Sequence, residues 1–191
     1  MRWDIVSFDI YVYFKKPKNF SKEQCESYFK DFGISIQIHP DYDIENAFGF
    51  LPFCIKADFI SDSLKNNDYL SGFELYSEQY FYNKELKNIQ SEGIKKAFFK
   101  RKYIANNSID NILKKCDNYF TISLGSQDSF EPLLACLFSL YISKYFNGVV
   151  FYCQSGEYIS DFENDIKGII TDLKSDFISG NLKTHIFEKW L

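Results

Sequence analysis

The strongest pattern of apolar and polar positions lies in the middle of the chain. Residues 120–124 alternate between apolar and polar side chains, which is typical of a strand with one buried face. The segment 129–146 is apolar around most of a helical circumference, and such helices are normally buried by other elements. Asp128 and Glu131 have the spacing of a capping box, with Pro132 in the first turn. We therefore predict a strand, a turn and a buried helix.

This helix is followed by a predicted stop and a further strand. Asn147 and Gly148 form the stop, since glycine adopts the left-handed conformation without a Cβ clash. Residues 149–152 then form an apolar strand. A turn is predicted at 155–156. The helix contains serine and lysine and is shorter than the roughly 20 apolar residues that span a bilayer. We therefore predict a core helix and no membrane contact.

A second long helix is predicted near the end of the chain. Ser160 and Glu163 repeat the capping-box spacing, and apolar residues recur at helical intervals over 161–179 until Gly180. Shorter helices are predicted at 21–32 with Ser21 as the cap, at 84–91, and at 108–116 with Ser108 as the cap.

The remaining strands are predicted from alternation and from turn residues. Residues 3–14 alternate, and their even-numbered positions are nearly all apolar, which indicates a long strand packed on one face. The segment 50–59 contains Pro52, which cannot donate a ladder hydrogen bond and therefore indicates an edge strand. Further strands are predicted at 34–38, at 70–82 with a bulge at Gly72, and at 97–103.

These elements predict one α+β domain over residues 1–191, with no linker or repeat. The expected architecture is a mainly antiparallel or mixed sheet, packed by two long helices at 129–146 and 161–179 and by one or two short ones.

The composition narrows the class of partner. Aromatic residues make up 19% of the chain, and tyrosine is enriched at protein interfaces. The net charge is −4, whereas general nucleic-acid binders are usually basic. The basic residues around Phe98 and Phe99 could hold a nucleic-acid strand, but the acidic chain favours an edge strand there instead. We therefore predict no nucleic-acid partner. An acidic surface suits a basic partner.

The cysteine content indicates a reducing compartment. The chain has five cysteines, an odd number, without a C-x-x-C motif, so neither a zinc site nor a disulfide framework is predicted. The N-terminus shows no secretory signal, which together with buried, reduced thiols predicts a cytoplasmic protein.

The candidate catalytic residues form no recognisable motif. His39 and His185 are the only histidines, and neither lies in a metal-ligand spacing. No Walker loop, dinucleotide fingerprint or G-x-S-x-G elbow occurs. We therefore assign no catalytic residue, metal or cofactor. A Ser-His-Asp triad can be dispersed along a chain, so a small hydrolase is the alternative.

An acidic loop at 40–49 is the candidate binding site. Asp41, Asp43 and Glu45 are close together, but the glycine and distal glutamate of an EF-hand loop are missing, so no metal is predicted. Such a run is either a solvated loop or a surface for a basic partner. In the second case, Asp41, Tyr42, Asp43 and Glu45 would contact that partner.

Three segments resemble bacterial immunity proteins, the small proteins that neutralise polymorphic or contact-dependent toxins. They are W-D-I-V-S-F-D-I-Y-V at 3–12, L-S-G-F-E-L-Y at 70–76, and S-F-E-P-L-L-A-C-L-F-S-L-Y-I-S-K-Y-F-N-G-V-V-F at 129–151. Several such families carry a G-G-V-like strand start after a late helix, whereas Asn147 replaces the first glycine here. The resemblance implies a non-catalytic inhibitor that binds a cognate toxin stoichiometrically, without a cofactor. A structural subunit of a homo-oligomer is a further alternative.

Overall fold

The computed structural model describes residues 8–17, 19–93, 103–125, 127–159 and 163–190. Five α-helices and eight strands lie within these ranges. All their strand pairs are antiparallel, which confirms the predicted α+β fold with a mainly antiparallel sheet. Residues 97–102 of the predicted strand at 97–103, the basic residues around Phe98 and the predicted cap Ser160 lie outside the described residues.

The sheet has the strand order β2-β3-β4-β5-β1-β6-β7, and β8 pairs separately with the start of β4. The strands are β1 (Phe8–Phe14), β2 (Ser35–Ile38), β3 (Phe48–Lys56), β4 (Asp68–Gln79), β5 (Asn118–Leu124), β6 (Val149–Tyr152), β7 (Glu157–Ile159) and β8 (His185–Ile186). The helices are α1 (Lys22–Lys30), α2 (Tyr82–Gly93), α3 (Asn107–Leu113), α4 (Glu131–Tyr145) and α5 (Glu163–Ser179). Helices α4 and α5 are the two long helices predicted at 129–146 and 161–179.

One face of the sheet carries the main core. Helix α4 lies at its centre, in contact with β1, β4, β5 and β6 and with α1 and α5. The Phe138 ring of α4 packs on the rings of Phe73 and Phe120, with centroid distances of 5.5 and 6.0 Å. The even-numbered residues of β1 are buried in this core, as their alternation predicted. Within the described ranges, no helix combines the length and apolarity needed to span a bilayer.

The start of α4 differs from the predicted capping box, because the helix begins at Glu131 with Phe130 as its cap residue, and the Phe130 side chain makes no capping bond. Asp128 Oδ1 accepts hydrogen bonds from the backbone N–H groups of Phe130 and Glu131, at 2.7 and 3.2 Å. The Glu131 carboxylate accepts from the N–H groups of Gly125 and Gln127, at 2.6 and 3.1 Å. Glu131 therefore holds the incoming loop, whereas in a standard capping box it would return to the cap residue itself.

The end of α4 lies where it was predicted, but the two stop residues have exchanged roles. Asn147 adopts the left-handed conformation, with φ of 51°, and Gly148 does not. Asparagine enters this region more easily than most residues because its short polar side chain can bond locally. Gly148 is needed for a close contact, because a Cβ at this position would overlap the carbonyl oxygen of Tyr13.

The predicted edge position of β3 is wrong, because β3 lies between β2 and β4. Its pairing with β2 ends at Ile38 opposite Phe53, one residue before Pro52 is reached. The Pro52 carbonyl accepts a hydrogen bond from the His39 N–H at 3.2 Å, so the polar backbone of Pro52 points toward the end of β2. The missing N–H therefore costs no bond to β4, because both backbone groups of a strand residue point to one side.

The predicted bulge at Gly72 is also wrong, since β3 and β4 pair without interruption along the whole of β3. Gly72 lies opposite Pro52 in this pairing. A Cβ on Gly72 would overlap the Leu51 carbonyl oxygen and crowd the Phe50 ring. The glycine therefore permits close strand approach, a second common reason for glycine in a strand.

Two short elements differ from the sequence prediction. Asn106, and not Ser108, caps α3, because the Asn106 side chain accepts from the N–H of Ile109 at 3.0 Å. His185 lies in a two-residue strand, β8, that the sequence pattern did not predict. The predicted cap of α1 is confirmed, since the Ser21 hydroxyl oxygen accepts from the Gln24 N–H at 3.1 Å.

Candidate functional site

The predicted binding loop is folded by its own carboxylates. Asp43 Oδ1 accepts from the N–H groups of Glu45 and Asn46, at 3.0 and 3.2 Å, and Asp43 Oδ2 accepts from the Asn46 amide at 2.8 Å. The bonds from Asn46 are the main reason why the pKa of Asp43 is lowered. Glu45 is half-buried and accepts from the Phe20 N–H at 3.0 Å. Asp41 and Asp43 are therefore the exposed charges of the loop.

Tyr42 joins this loop to the sheet. Its ring is half-buried, and its hydroxyl donates to the carbonyl oxygen of Gly49 on β3 at 3.0 Å. Burial raises the pKa of Tyr42, and the nearby carboxylate of Glu74 on β4 raises it further. The phenol therefore stays protonated at neutral pH, and the acidic loop lies beside the end of the β3–β4 pair.

The sheet face opposite α4 carries side chains that are at least partly exposed. We call these side chains the open face, and the strand registers bring them side by side on β3, β4, β5, β1 and β6. Its members are Asp9, Tyr11, Phe48, Phe50, Glu74, Tyr76, Thr121, Ser123 and Phe151. Among the described helices, α2 and α3 cover only the adjoining end of this face, where Tyr13, Tyr119 and Val149 lie.

An aromatic row crosses the open face from one side to the other. Phe48 pairs with Tyr76, and the same row continues through Thr121 and Tyr11 to Phe151. The rings of Phe48 and Tyr76 meet edge to face at 5.4 Å, and those of Tyr11 and Phe151 stack at 6.3 Å. With neighbouring strands about 4.8 Å apart, the row extends roughly 19 Å across the sheet. Phe48 is 87% exposed, so the row ends in an uncovered apolar side chain.

A second row brings carboxylates to the same surface. Glu74 pairs with Ser123, which pairs with Asp9, and Phe50 lies at the β3 end. The Tyr76 hydroxyl donates to Glu74 Oε2 at 3.2 Å, and this bond is the main cause of the raised pKa of Tyr76. The two rows contain two carboxylates and no lysine or arginine, so the open face continues the negative charge of the acidic loop.

The cysteines lie in surroundings that disfavour the reactive thiolate. All five are unpaired, and four are buried as predicted, whereas Cys153 is only partly buried. Burial is the largest cause of a raised pKa at every one of them, and it brings Cys54 and Cys136 to about 11 and Cys116 to about 12. The reactive thiolate is therefore a minor form at neutral pH.

A serine, a histidine and an aspartate, the residue types of the hydrolase alternative, lie near one another but are not arranged as a triad. The buried Ser71 hydroxyl donates to Asp128 Oδ1 at 2.8 Å, so serine bonds directly to the carboxylate. Burial raises the pKa of Asp128, and His185 is close enough to oppose that shift by its charge. In a triad, histidine stands between the serine and the carboxylate and the serine is accessible. Here Ser71 and Asp128 stabilise the start of α4.

The other histidine also has a structural contact. His39 Nδ1 accepts from the Asp41 N–H at 3.1 Å, and its ring meets Trp190 at 4.9 Å. In the part of the chain that the structure describes, no group of three or more His, Cys, Asp or Glu side chains is placed to bind a metal ion.

Sequence reasoning identified the loop but missed the open face. The signal was present in β1, where Asp9, Tyr11 and Tyr13 occupy the more polar positions of the alternation. Only the strand order shows that these positions adjoin Thr121 and Phe151. A comparison with protein families, curated proteins and solved structures gave no match.

Proposed function

We propose that this protein is a non-catalytic inhibitor of the immunity type, which neutralises a cognate bacterial toxin by binding it. The acidic loop and the open face form its binding surface. The observation that carries this proposal is the continuity of at least partly exposed aromatic rings and carboxylates from Asp41 and Asp43, through Tyr42, to Phe48, Glu74 and the rest of the open face.

The aromatic row suits protein recognition. Tyrosine and phenylalanine supply a large contact area, and their few rotatable bonds lose little entropy on binding. Phe48 is 87% exposed, and covering a phenylalanine side chain is worth about 1.5–3 kcal/mol. Phe48 and its neighbour Tyr76 are therefore the expected energetic centre of the surface.

The charge of the surface selects the partner. The exposed carboxylates of the loop and the partly exposed carboxylates of Glu74 and Asp9 favour a basic protein, and complementary charge speeds association and fixes orientation. Toxins that act on nucleic acid are often basic, so such a toxin fits the surface. The proposed location is the cytoplasm, where the five unpaired thiols would remain reduced.

The experiment is a neutralisation test. The tagged chain is used to capture proteins from its own cells, and each captured protein is expressed in a second host with and without this chain. We expect one captured protein that stops growth alone and permits growth when this chain is co-expressed. Growth arrest that persists in spite of co-expression, or captured proteins that are all harmless, would count against an immunity role. The hydrolase alternative has no specific observation in its favour and stays a prediction.

A further inference from the structure

A groove of about 720 Å³ lies beside the open face, between the sheet and the α2–α3 side of the molecule. Its sheet side is formed by aromatic rings of β1, β6 and β7, namely Tyr11, Tyr13, Phe151 and Tyr158. Its other walls come from α2, from the start of α3 and from the β6–β7 hairpin. The volume lies within the range of protein binding sites, about 300–1,000 Å³.

The aromatic side of the groove is a connected set of rings. Phe151 and Tyr158 have centroids 4.8 Å apart, and Tyr13 and Tyr158 have centroids 6.4 Å apart. Tyr13 also packs edge to face on Tyr80 at 4.8 Å, which fixes its ring. The negative faces of such fixed rings attract planar cations through the ring quadrupole.

Two carboxylates line the groove from different elements. Glu85 lies on α2 and is half-buried, while Glu157 lies on the hairpin and is exposed. The Glu85 carboxylate is near enough to raise the pKa of Tyr13, after burial, Tyr158 and Tyr80. Within the described ranges, neither carboxylate accepts a hydrogen bond or forms an ion pair, and the groove lining includes no basic side chain.

We propose that this groove binds an arginine side chain on a segment of the basic protein partner. The inference rests on the proposed function, because it assigns an anchor to the same binding surface. A guanidinium group is planar, so it stacks on tyrosine and phenylalanine rings while its N–H groups bond to Glu85 or Glu157. A lysine ammonium group would balance the negative charge, but it lacks the planar, forked arrangement of N–H groups that matches both the rings and the carboxylates.

The direct test is an NMR titration of the isotope-labelled full chain with a blocked Gly-Arg-Gly-Arg-Gly peptide. We expect shifts at the amides of Glu85, Ile89, Asn106 and Gly156. The same peptide with citrulline, which is neutral but has almost the same shape, should not produce them. Equal shifts with both peptides, shifts confined to the acidic loop, or no shifts would overturn the proposal.

Matched variants distinguish specific binding in the groove from general attraction to the negative charge of the protein. Glu85→Gln should weaken the arginine peptide about tenfold, as expected for loss of one charge-assisted hydrogen bond. Asp172→Asn removes an exposed charge on α5, on the opposite side of the sheet, and should leave binding unchanged. An equal effect of both variants would contradict a specific site. Unchanged spectra outside the groove confirm that each variant is folded.

Two further arms separate this proposal from the proposed function. If a captured toxin binds the Glu85→Gln/Glu157→Gln variant as tightly as the wild type, the groove proposal fails and the proposed function stands. If the arginine peptide binds the groove but no toxin is neutralised, the proposed function fails.

Replacing Lys95, Lys96, Lys100, Arg101 and Lys102 by glutamine should not change peptide affinity. A tenfold gain would mean that cations of this chain compete for the groove, and would overturn the assignment to a partner.

Discussion

The hydroxyl of Tyr42 donates a hydrogen bond to the carbonyl oxygen of Gly49 at 3.0 Å, and this contact joins the acidic loop to the first residues of β3. Phe48 and Phe50 flank Gly49 in the chain and belong to the open face. The loop identified from the sequence and the face found in the structure therefore form one surface, and a change at Tyr42 is expected to affect both.

Tyr42→Phe tests this connection. Phenylalanine keeps the ring but cannot donate to Gly49, so the free energy of unfolding should fall by about 1 kcal/mol. For a chain of this size, that corresponds to a melting temperature lower by about 2–4 °C in calorimetry. Tyr145→Phe is the matched control, because Tyr145 is 40% exposed and its hydroxyl has no hydrogen-bond partner among the described residues. An equal loss in both variants would show that the Tyr42 bond contributes nothing specific.

Asp41→Lys tests whether the loop charge meets a basic partner. The Asp41 side chain is exposed and makes no hydrogen bond within the described ranges, so the fold should be retained. We expect slower association with a captured toxin at low salt, and the difference should shrink at high salt because exposed charges are screened.

Asp172→Lys makes the same charge change on α5 and should alter the association rate much less. Surface plasmon resonance at two salt concentrations measures both variants. Equal rates for the Asp41 variant and the wild type would place the partner elsewhere on the molecule.

Asp110→Asn should show a pH-dependent loss of stability. Asp110 is fully buried and accepts from the Tyr82 hydroxyl at 2.6 Å and from the N–H groups of Ile104 and Ala105 at 2.8 and 3.0 Å. Burial alone would raise its pKa, but these bonds lower it below the ordinary value of 3.8. The folded state therefore favours the carboxylate, whose stabilisation is present above that ordinary value and is lost as the pH falls through the lower folded pKa.

We expect the Asp110→Asn variant to be about 1–3 kcal/mol less stable at pH 7, because an amide nitrogen would face a donor in a buried site. The difference from the wild type should shrink when the pH is taken below the ordinary Asp110 pKa of 3.8. Urea unfolding at pH 7 and at pH 3 measures it. A difference that is the same at both values would contradict an ionised Asp110.

Gly72→Ala tests the close approach of β3 and β4. The added Cβ would overlap the Leu51 carbonyl oxygen, so we expect a loss of about 1–3 kcal/mol, typical of overpacking. Gly168→Ala is the matched control, because Gly168 lies in α5 with no atom near the added Cβ and should gain up to about 1 kcal/mol of stability. Chemical denaturation measures both, and two changes of the same sign would contradict this account of Gly72.

The elements that were predicted correctly depend on local signals. The strand at 120–124 and the helix after it follow from alternation and from an apolar circumference, and both occur as β5 and α4. The predicted edge position of β3 is wrong because a proline is tolerated wherever its backbone faces no paired strand, and at Pro52 the pairing with β2 has already ended. The backbone of Pro52 points toward the end of β2. This direction depends on the tertiary structure, so the spacing of residues along the chain does not reveal it.

The candidate site was only partly predictable for a similar reason. Clustered carboxylates in 41–45 are visible in the sequence because they are contiguous. The open face is assembled from strands that are distant in the chain, so Tyr11 and Thr121 become neighbours only through the strand order. Alternation identifies the more polar side of each strand, but it does not show which strands lie side by side or which helices leave that side uncovered.

The most direct test of the proposed function compares two exposed apolar side chains. Phe48 on the open face is 87% exposed, and Ile178 on α5 is 84% exposed. We expect Phe48→Ser to raise the dissociation constant for the captured toxin at least tenfold, a cost of about 1.4 kcal/mol, and Ile178→Ser to leave it unchanged, as measured by isothermal titration calorimetry. Unchanged affinity for Phe48→Ser, or an equal loss for Ile178→Ser, would contradict binding through the open face.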